Sequence, residues 1–442
     1  MQEKKPQQSD FMIEKIKDRP INKKKLLRRT VITAAMAVIF GLIACLTFLL
    51  LEPVFSKWLY PQPQEEPIYI EFPEETEEML PGDMIVEETT PDIQQEVENV
   101  LEEGGQIEEA LSGWELNKDN YSQLYAAMSN YKKELDSSMV LVTGTSSGTD
   151  VFNDTTYSSG QVSGVILADN GVELLILADR TPIMEMDSLS VTFCSNQTVP
   201  TYVKQYDSET GLAIFAVPLQ TITRQTTDKM TIAELGSSNF ANLVGIPVVA
   251  MGSPMGVSNS VGYGIINASG KVWSVTDANY KLLLTDIYGS QNASGVLFNY
   301  DNKVLGIITT GKNDKGMENL VTALGISELK KVITRMSNAK PEIYMGITGM
   351  DMSEEIREAT GVPLGVYVTD VIMDSPAMLA GIQKGDVVVS MNDLSISGMS
   401  DYTLALLQHE PEDEVTVIVE RAVQEEYKQI EIIVTLTGKE LK

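Results

Sequence analysis

Ser294 could act as a nucleophile only with a base beside it. It lies in the stretch Thr285-Asp286-Ile287-Tyr288-Gly289-Ser290-Gln291-Asn292-Ala293-Ser294-Gly295-Val296-Leu297-Phe298-Asn299, a polar, glycine-marked loop between two apolar runs. A serine hydroxyl attacks poorly until a neighbouring base takes its proton, and that base must itself be held in place. The chain has 1 histidine, His409, far along the sequence beside Glu410. It reads as a surface residue at a helix end. A Ser–Lys pair would need a buried lysine, and Lys271 and Lys281 are left open for that role. Other chemistries find less support. No two soft ligands stand at zinc-like spacing, Asp301-Asn302 lacks the rest of a calcium loop, and no glycine-rich loop runs into Lys-Ser/Thr. No cofactor is implied.

The elements that must position such a site emerge along the chain. Residues 1–29 carry ten Lys/Arg against four acids, and residues 30–51 then carry no charge. Twenty-two residues at about 1.5 Å each span roughly 33 Å, enough to cross a bilayer once. The basic flank predicts a cytoplasmic N-terminus with the remainder outside the cytoplasm. Residues 52–113 are acidic and contain prolines 53, 61, 63, 67, 73, 81 and 91. Such a segment repels itself and reads as a disordered, extended stalk. The formal charge of −29 excludes a nucleic-acid partner, which needs a basic face. Cys45 and Cys194 do not read as a bridge.

Order is expected to resume near Trp114. Leu124, Met128, Tyr131 and Leu135 recur at helical spacing. Short β runs follow, among them Val162–Leu167, Leu174–Leu177, Ala213–Val217, Pro247–Met251, Lys281–Leu284 and Val304–Ile308. Many short strands without intervening helices indicate a closed all-β sandwich or barrel.

The order of these runs resembles the HtrA (DegP-like) serine proteases over about residues 121–340. Gly160 to Gly171 is similar to the family's first hairpin, and Ala233-Glu234-Leu235-Gly236-Ser237-Ser238 with Met251-Gly252-Ser253-Pro254-Met255-Gly256 resembles its second barrel. Residues 341–442 resemble the PDZ domain that follows the protease: Tyr344-Met345-Gly346-Ile347, Gly365-Val366-Tyr367-Val368, Ser375-Pro376-Ala377 and Gly385-Asp386-Val387-Val388. The resemblance implies a mainly β chain, with a trypsin-like double β-barrel over 114–340 and an α+β PDZ domain over 341–442. It also implies a trimer-forming element ahead of the barrel, for which Tyr121, Leu124 and Tyr125 are candidates.

Carried over residue by residue, the catalytic triad is degenerate. The family's histidine position falls on Ala178 and its aspartate position on Gly211. Its nucleophile falls on Ala293 or Ser294 according to the side from which the shortened loop is aligned. The oxyanion-hole glycine becomes Gln291 or Asn292. Loss of such groups costs on the order of 10⁶ in turnover in a well-studied protease, so the residues imply a pseudoprotease. The PDZ pattern is intact. By resemblance Tyr344, Met345, Gly346 and Ile347 form the loop that takes a C-terminal carboxylate, with the peptide adding as a strand and residues 401–409 forming the opposite wall. The expected partner is therefore a polypeptide or protein C-terminus, in an adaptor or quality-control role. Cleavage through Ser294, and a structural subunit of an HtrA-type oligomer, are the competing readings.

Overall fold

The computed structural model describes residues 23–59, 67–73, 118–149, 155–240, 242–312, 317–424 and 426–439. Helix α1 (Lys23–Leu59) forms one unit by itself, and residues 66–442 form the other. Within α1 the stretch Leu27–Thr47 is long and apolar enough to cross a membrane, with its side chains exposed. The helix continues through the first residues expected to begin the stalk. The basic tail before residue 23, Trp114 and most of the acidic stretch lie outside the described residues.

One part of the expected stalk is a correction. Residues 67–73 run in extended form along the second unit. The Ile68 N–H donates to Asn170 O at 2.9 Å. Asn338 brackets Ile70, with Oδ1 accepting from its N–H at 2.9 Å and Nδ2 donating to its carbonyl at 2.7 Å. Ile70 and Phe72 pack against the main core. The alternation Ile68-x-Ile70-x-Phe72 is a strand-like face that the surrounding charge conceals.

Helix α2 (Lys118–Asp136) precedes the barrels, as its spacing predicts, and buries Leu135. The first barrel closes in the order β1-β2-β3-β6-β5-β4. Its strands are β1 (Met139–Thr149), β2 (Thr155–Asp169), β3 (Glu173–Asp179), β4 (Ser188–Phe193), β5 (Thr198–Tyr206) and β6 (Leu212–Pro218). The short helix α3 (Arg224–Thr227) and strand β7 (Glu234–Leu235) lead to the second barrel. That barrel comprises β8 (Pro247–Ser253), β9 (Ser260–Val275), β10 (Ala278–Tyr288), β11 (Ser294–Asn299), β12 (Lys303–Thr309) and β13 (Leu320–Gly325), closed by the β11–β12 pairing.

Successive residues of a strand point to opposite faces, and here both faces are buried. In β3, Leu174, Ile176 and Ala178 fill the first barrel, while Leu175 and Leu177 face the seam between barrels. In β8, Val248 and Ala250 fill the second barrel, while Val249 and Met251 face the same seam. This accounts for the unbroken apolar runs in the sequence.

Helix α4 (Ile326–Ser337) covers the seam with Ile326, Leu329 and Ile333 and leads into the C-terminal domain. That domain holds β14 (Ile343–Tyr344), β15 (Ile347–Asp351), helix α5 (Glu354–Thr360), β16 (Val366–Val371), helix α6 (Pro376–Ala380) and β17 (Val387–Met391). It continues with β18 (Leu394–Ser395), helix α7 (Met399–Leu406), β19 (Glu414–Val423), β20 (Glu426–Thr435) and β21 (Thr437–Gly438). The sheet order β15-β16-β17-β19-β20 leaves β15 at an edge. The groove-wall helix, expected over 401–409, starts at Met399 and ends at Leu406.

Candidate functional site

The cleft between the barrels encloses ≈ 1060 Å³ and is lined by Asp179, Arg180, Gly211, Ala293, Ser294 and Lys312 among others. Ala178 pairs with Ala213 next to the end of β3 and is buried in the first barrel. Gly211 turns with φ +77°, and a Cβ there would lie 2.5 Å from Thr181 Oγ1 and 3.2 Å from Asp179 Oδ1. An aspartate there would crowd the Thr181 hydroxyl and stand beside the Asp179 carboxylate. Asp179 itself accepts from the Thr181 N–H at 2.8 Å, and burial pushes its carboxyl up against the lowering effect of that contact. The Arg180 guanidinium lies 3.6 Å from the Tyr206 ring centroid.

Ser294 begins β11 opposite Ser253, and its side chain turns into the seam. It is 5% exposed, and its Oγ accepts from the Ser163 N–H at 3.1 Å, while Ser163 and Ser253 share a hydroxyl contact of 2.7 Å. The serines therefore tie β2 of one barrel to β8 and β11 of the other. Gly295 follows at φ +127°, and a Cβ on it would stand 2.0 Å from Met251 O, so the backbones meet as closely as glycine allows. The two lysines left open as bases are engaged with other groups. Lys271 Nζ donates to Lys312 O at 3.1 Å, and Lys281 Nζ to Asn239 Oδ1 at 2.9 Å. His409 sits in the C-terminal domain, with Nδ1 3.7 Å from Asp413 and Nε2 3.3 Å from Asn392.

A second site is more fully built. The N–H groups of Met345 and Gly346 donate to Asp277 Oδ2 at 2.9 and 2.8 Å, and that of Ile347 donates to Asp277 Oδ1 at 3.0 Å. The Tyr402 hydroxyl donates to Oδ1 at 2.7 Å. Gly346 makes this turn possible at φ +93°, where a Cβ would come within 2.2 Å of Ser375 Cβ. Asp277 lies in the two-residue turn joining β9 to β10 and takes φ +62°, which aspartate tolerates better than most residues. Complete burial pushes its carboxyl up, and the N–H donors and Tyr402 oppose that push. Burial beside this carboxylate drives the Tyr402 phenol well above its ordinary value.

Comparison with known proteins bears on the two domains that hold these residues. The trypsin-like peptidase domain matches residues 162–307 and the PDZ domain residues 333–434. A serine protease Do-like HtrA of Lactococcus lactis subsp. cremoris is 27% identical over 321 residues, covering 67% of this chain and 76% of its own. A probable periplasmic DegP-like serine endoprotease of Rickettsia conorii is 26% identical over 62% of this chain and 53% of its own. The chain is similar to the HtrA proteases, with a trypsin-like peptidase domain followed by a PDZ domain. The fold agrees: the HtrA-type protease AlgW, solved with a decapeptide, superposes with a TM-score of 0.51 at 17% identity, covering 71% of this chain and 99% of its own.

The cleft is lined by Gly211, Ala293 and Ser294, whereas Ala178 is buried in the core of the first barrel and does not line it, and Met345, Gly346 and Ile347 lie in one loop. Tyr344 stands apart from the three: it pairs with Thr437 through β14, its ring beside the Lys439 ammonium. Sequence reasoning missed Asp277, Tyr402 and Asp179. A Thr-Asp turn between two β runs was the available signal for Asp277, but nothing local points it at a loop some 70 residues away.

Proposed function

We propose that this HtrA-like chain is a single-pass, membrane-anchored protein that binds polypeptide C-termini through its PDZ domain at the extracytoplasmic face, with a trypsin-like domain that does not cleave. The observation that carries the binding reading is the convergence of three successive N–H groups, Met345 to Ile347, on one carboxylate. A chain terminus presents the same chemical group, and an edge strand such as β15 offers the backbone acceptors a peptide would use. Loss of cleavage is supported by the cleft. The Ser294 hydroxyl is turned into the inter-barrel seam, where it accepts from the Ser163 N–H, and the place of a supporting carboxylate is held by Gly211, crowded by the Thr181 hydroxyl. Anchoring is supported by the apolar stretch Leu27–Thr47 and the basic residues before it.

The test is cleavage of casein and labelling by a fluorophosphonate, using the full chain in detergent beside Ser294→Ala. The expected result is no cleavage and no label in either protein. Cleavage or labelling that disappears in Ser294→Ala overturns the inactive reading.

A further inference from the structure

The PDZ carboxylate seat is filled in this structure by the chain's own side chain. All three loop N–H groups that a peptide terminus would need are spent on Asp277. The edge of β15 is engaged as well: the Asp277 N–H donates to Ile347 O at 2.8 Å, and Asn279 Nδ2 to Gly349 O at 3.3 Å. On the helix side, Thr403 Oγ1 donates to Asp277 O at 2.9 Å, next to the Tyr402 contact. The β9–β10 turn thus takes the loop, the strand edge and the helix at once, the three surfaces that a strand-adding peptide uses. An aspartate side chain ends in the same group as a polypeptide, so it can satisfy the same donors.

We propose that Asp277 is an internal ligand that keeps the PDZ seat closed, and that a free C-terminus binds only by displacing the β9–β10 turn from the loop. This rests on the C-terminus-binding reading above and adds that the resting chain is self-occupied. A partner's apparent affinity is then its intrinsic affinity reduced by the fraction of chains whose turn is displaced. Removing the carboxylate of Asp277 removes the competitor and leaves the loop donors in place.

The experiment uses the full chain in detergent micelles, as wild type, Asp277→Ala and the nearly isosteric Asp277→Asn. The probe is a fluorescein-labelled decapeptide library with a free C-terminal Val, Leu, Ile or Phe, beside the same library amidated at the C-terminus. Binding is read by anisotropy, and amide hydrogen exchange is followed over residues 344–347 and over β8 as an internal control of folding. The expected result is at least tenfold tighter binding of the free-acid library by Asp277→Ala than by wild type. Asp277→Asn should fall between them, and the amidated library should gain nothing. Exchange over 344–347 should quicken at least tenfold while β8 is unchanged. Equal binding by wild type and Asp277→Ala, or unchanged loop exchange in a folded variant, overturns the proposal and leaves C-terminus binding standing. Quickened exchange with no library binding by any of the three proteins overturns C-terminus binding, and the competition with it.

Discussion

Glu342 shows how single residues at the junction of barrel and PDZ domain carry charge where it is poorly solvated. Its carboxylate accepts from Ser208 Oγ at 2.9 Å, beside buried Asp207, with Lys439 at 3.7 Å. Burial first, then repulsion from Asp207, pushes its pKa to about 7, against the pull of Lys439 and Ser208. The folded pKa lies above the unfolded value, so the folded state holds the extra proton. The stability this proton confers is fully present below the unfolded carboxyl pKa and is lost as pH rises through about 7. Between pH 6 and 8 wild type should therefore lose about 1 kcal/mol more than Glu342→Gln, measured from urea midpoints at the two pH values. Equal pH dependence would mean that Glu342 is ionised throughout. Residue types at Ala178, Gly211 and Ser294 were legible because family motifs are local. Glu342 and Asp277 were not, because their environments are made by segments distant in sequence, 134 residues away for Ser208 and 125 for Tyr402.

At the scale of elements, the β runs and α2 could be read because burial on two faces writes long apolar stretches and burial on one face writes a helical stripe. Residues 67–73 were hidden because net charge over a long window dominates the reading of a short one, although Ile68, Ile70 and Phe72 alternate. This strand-like segment is held at one point by paired contacts to Asn338, whose Nδ2 also donates to Thr334 O at 2.7 Å. Asn338→Ala removes partners from the Ile70 N–H and carbonyl together. It should cost about 1–3 kcal/mol and expose the bond after Glu71 to Glu-C protease, while β8 keeps its slow hydrogen exchange. An unchanged digestion rate would mean that packing of Ile70 and Phe72, with the Ile68–Asn170 hydrogen bond, holds the segment, and that the Asn338 contacts are incidental.

At the scale of the whole second unit, the PDZ domain meets the barrels at several contacts, Glu342 with Ser208 among them, and two of these involve buried charged residues. One is the Asp277 turn. The other is Arg335 near the end of α4, 8% exposed, whose Nη1 donates to Leu407 O at 2.9 Å and His409 O at 3.1 Å, and whose Nη2 donates to Pro341 O at 2.9 Å. Glu410 completes the site, 3.3 Å from Nη2 and 2.6 Å from Lys340 Nζ, and the Lys340 contact first and Arg335 after it hold its carboxyl below the usual range against burial. Arg335 touches none of the loop N–H groups. If the Asp277 turn leaves the loop by local fraying, Arg335→Ala changes nothing there. If the PDZ domain swings off as a body, every contact across the junction opposes the swing, and losing Arg335 lowers its free energy by about 2 kcal/mol. That corresponds to at least a tenfold faster exchange over residues 344–347 at a site Arg335 does not contact. The expected outcome is the second, because Arg335 binds both the linker at Pro341 and the end of the groove helix at Leu407, so the two fastenings hold the same rigid body. Unchanged loop exchange in a folded Arg335→Ala chain would place the opening motion in the β9–β10 turn alone.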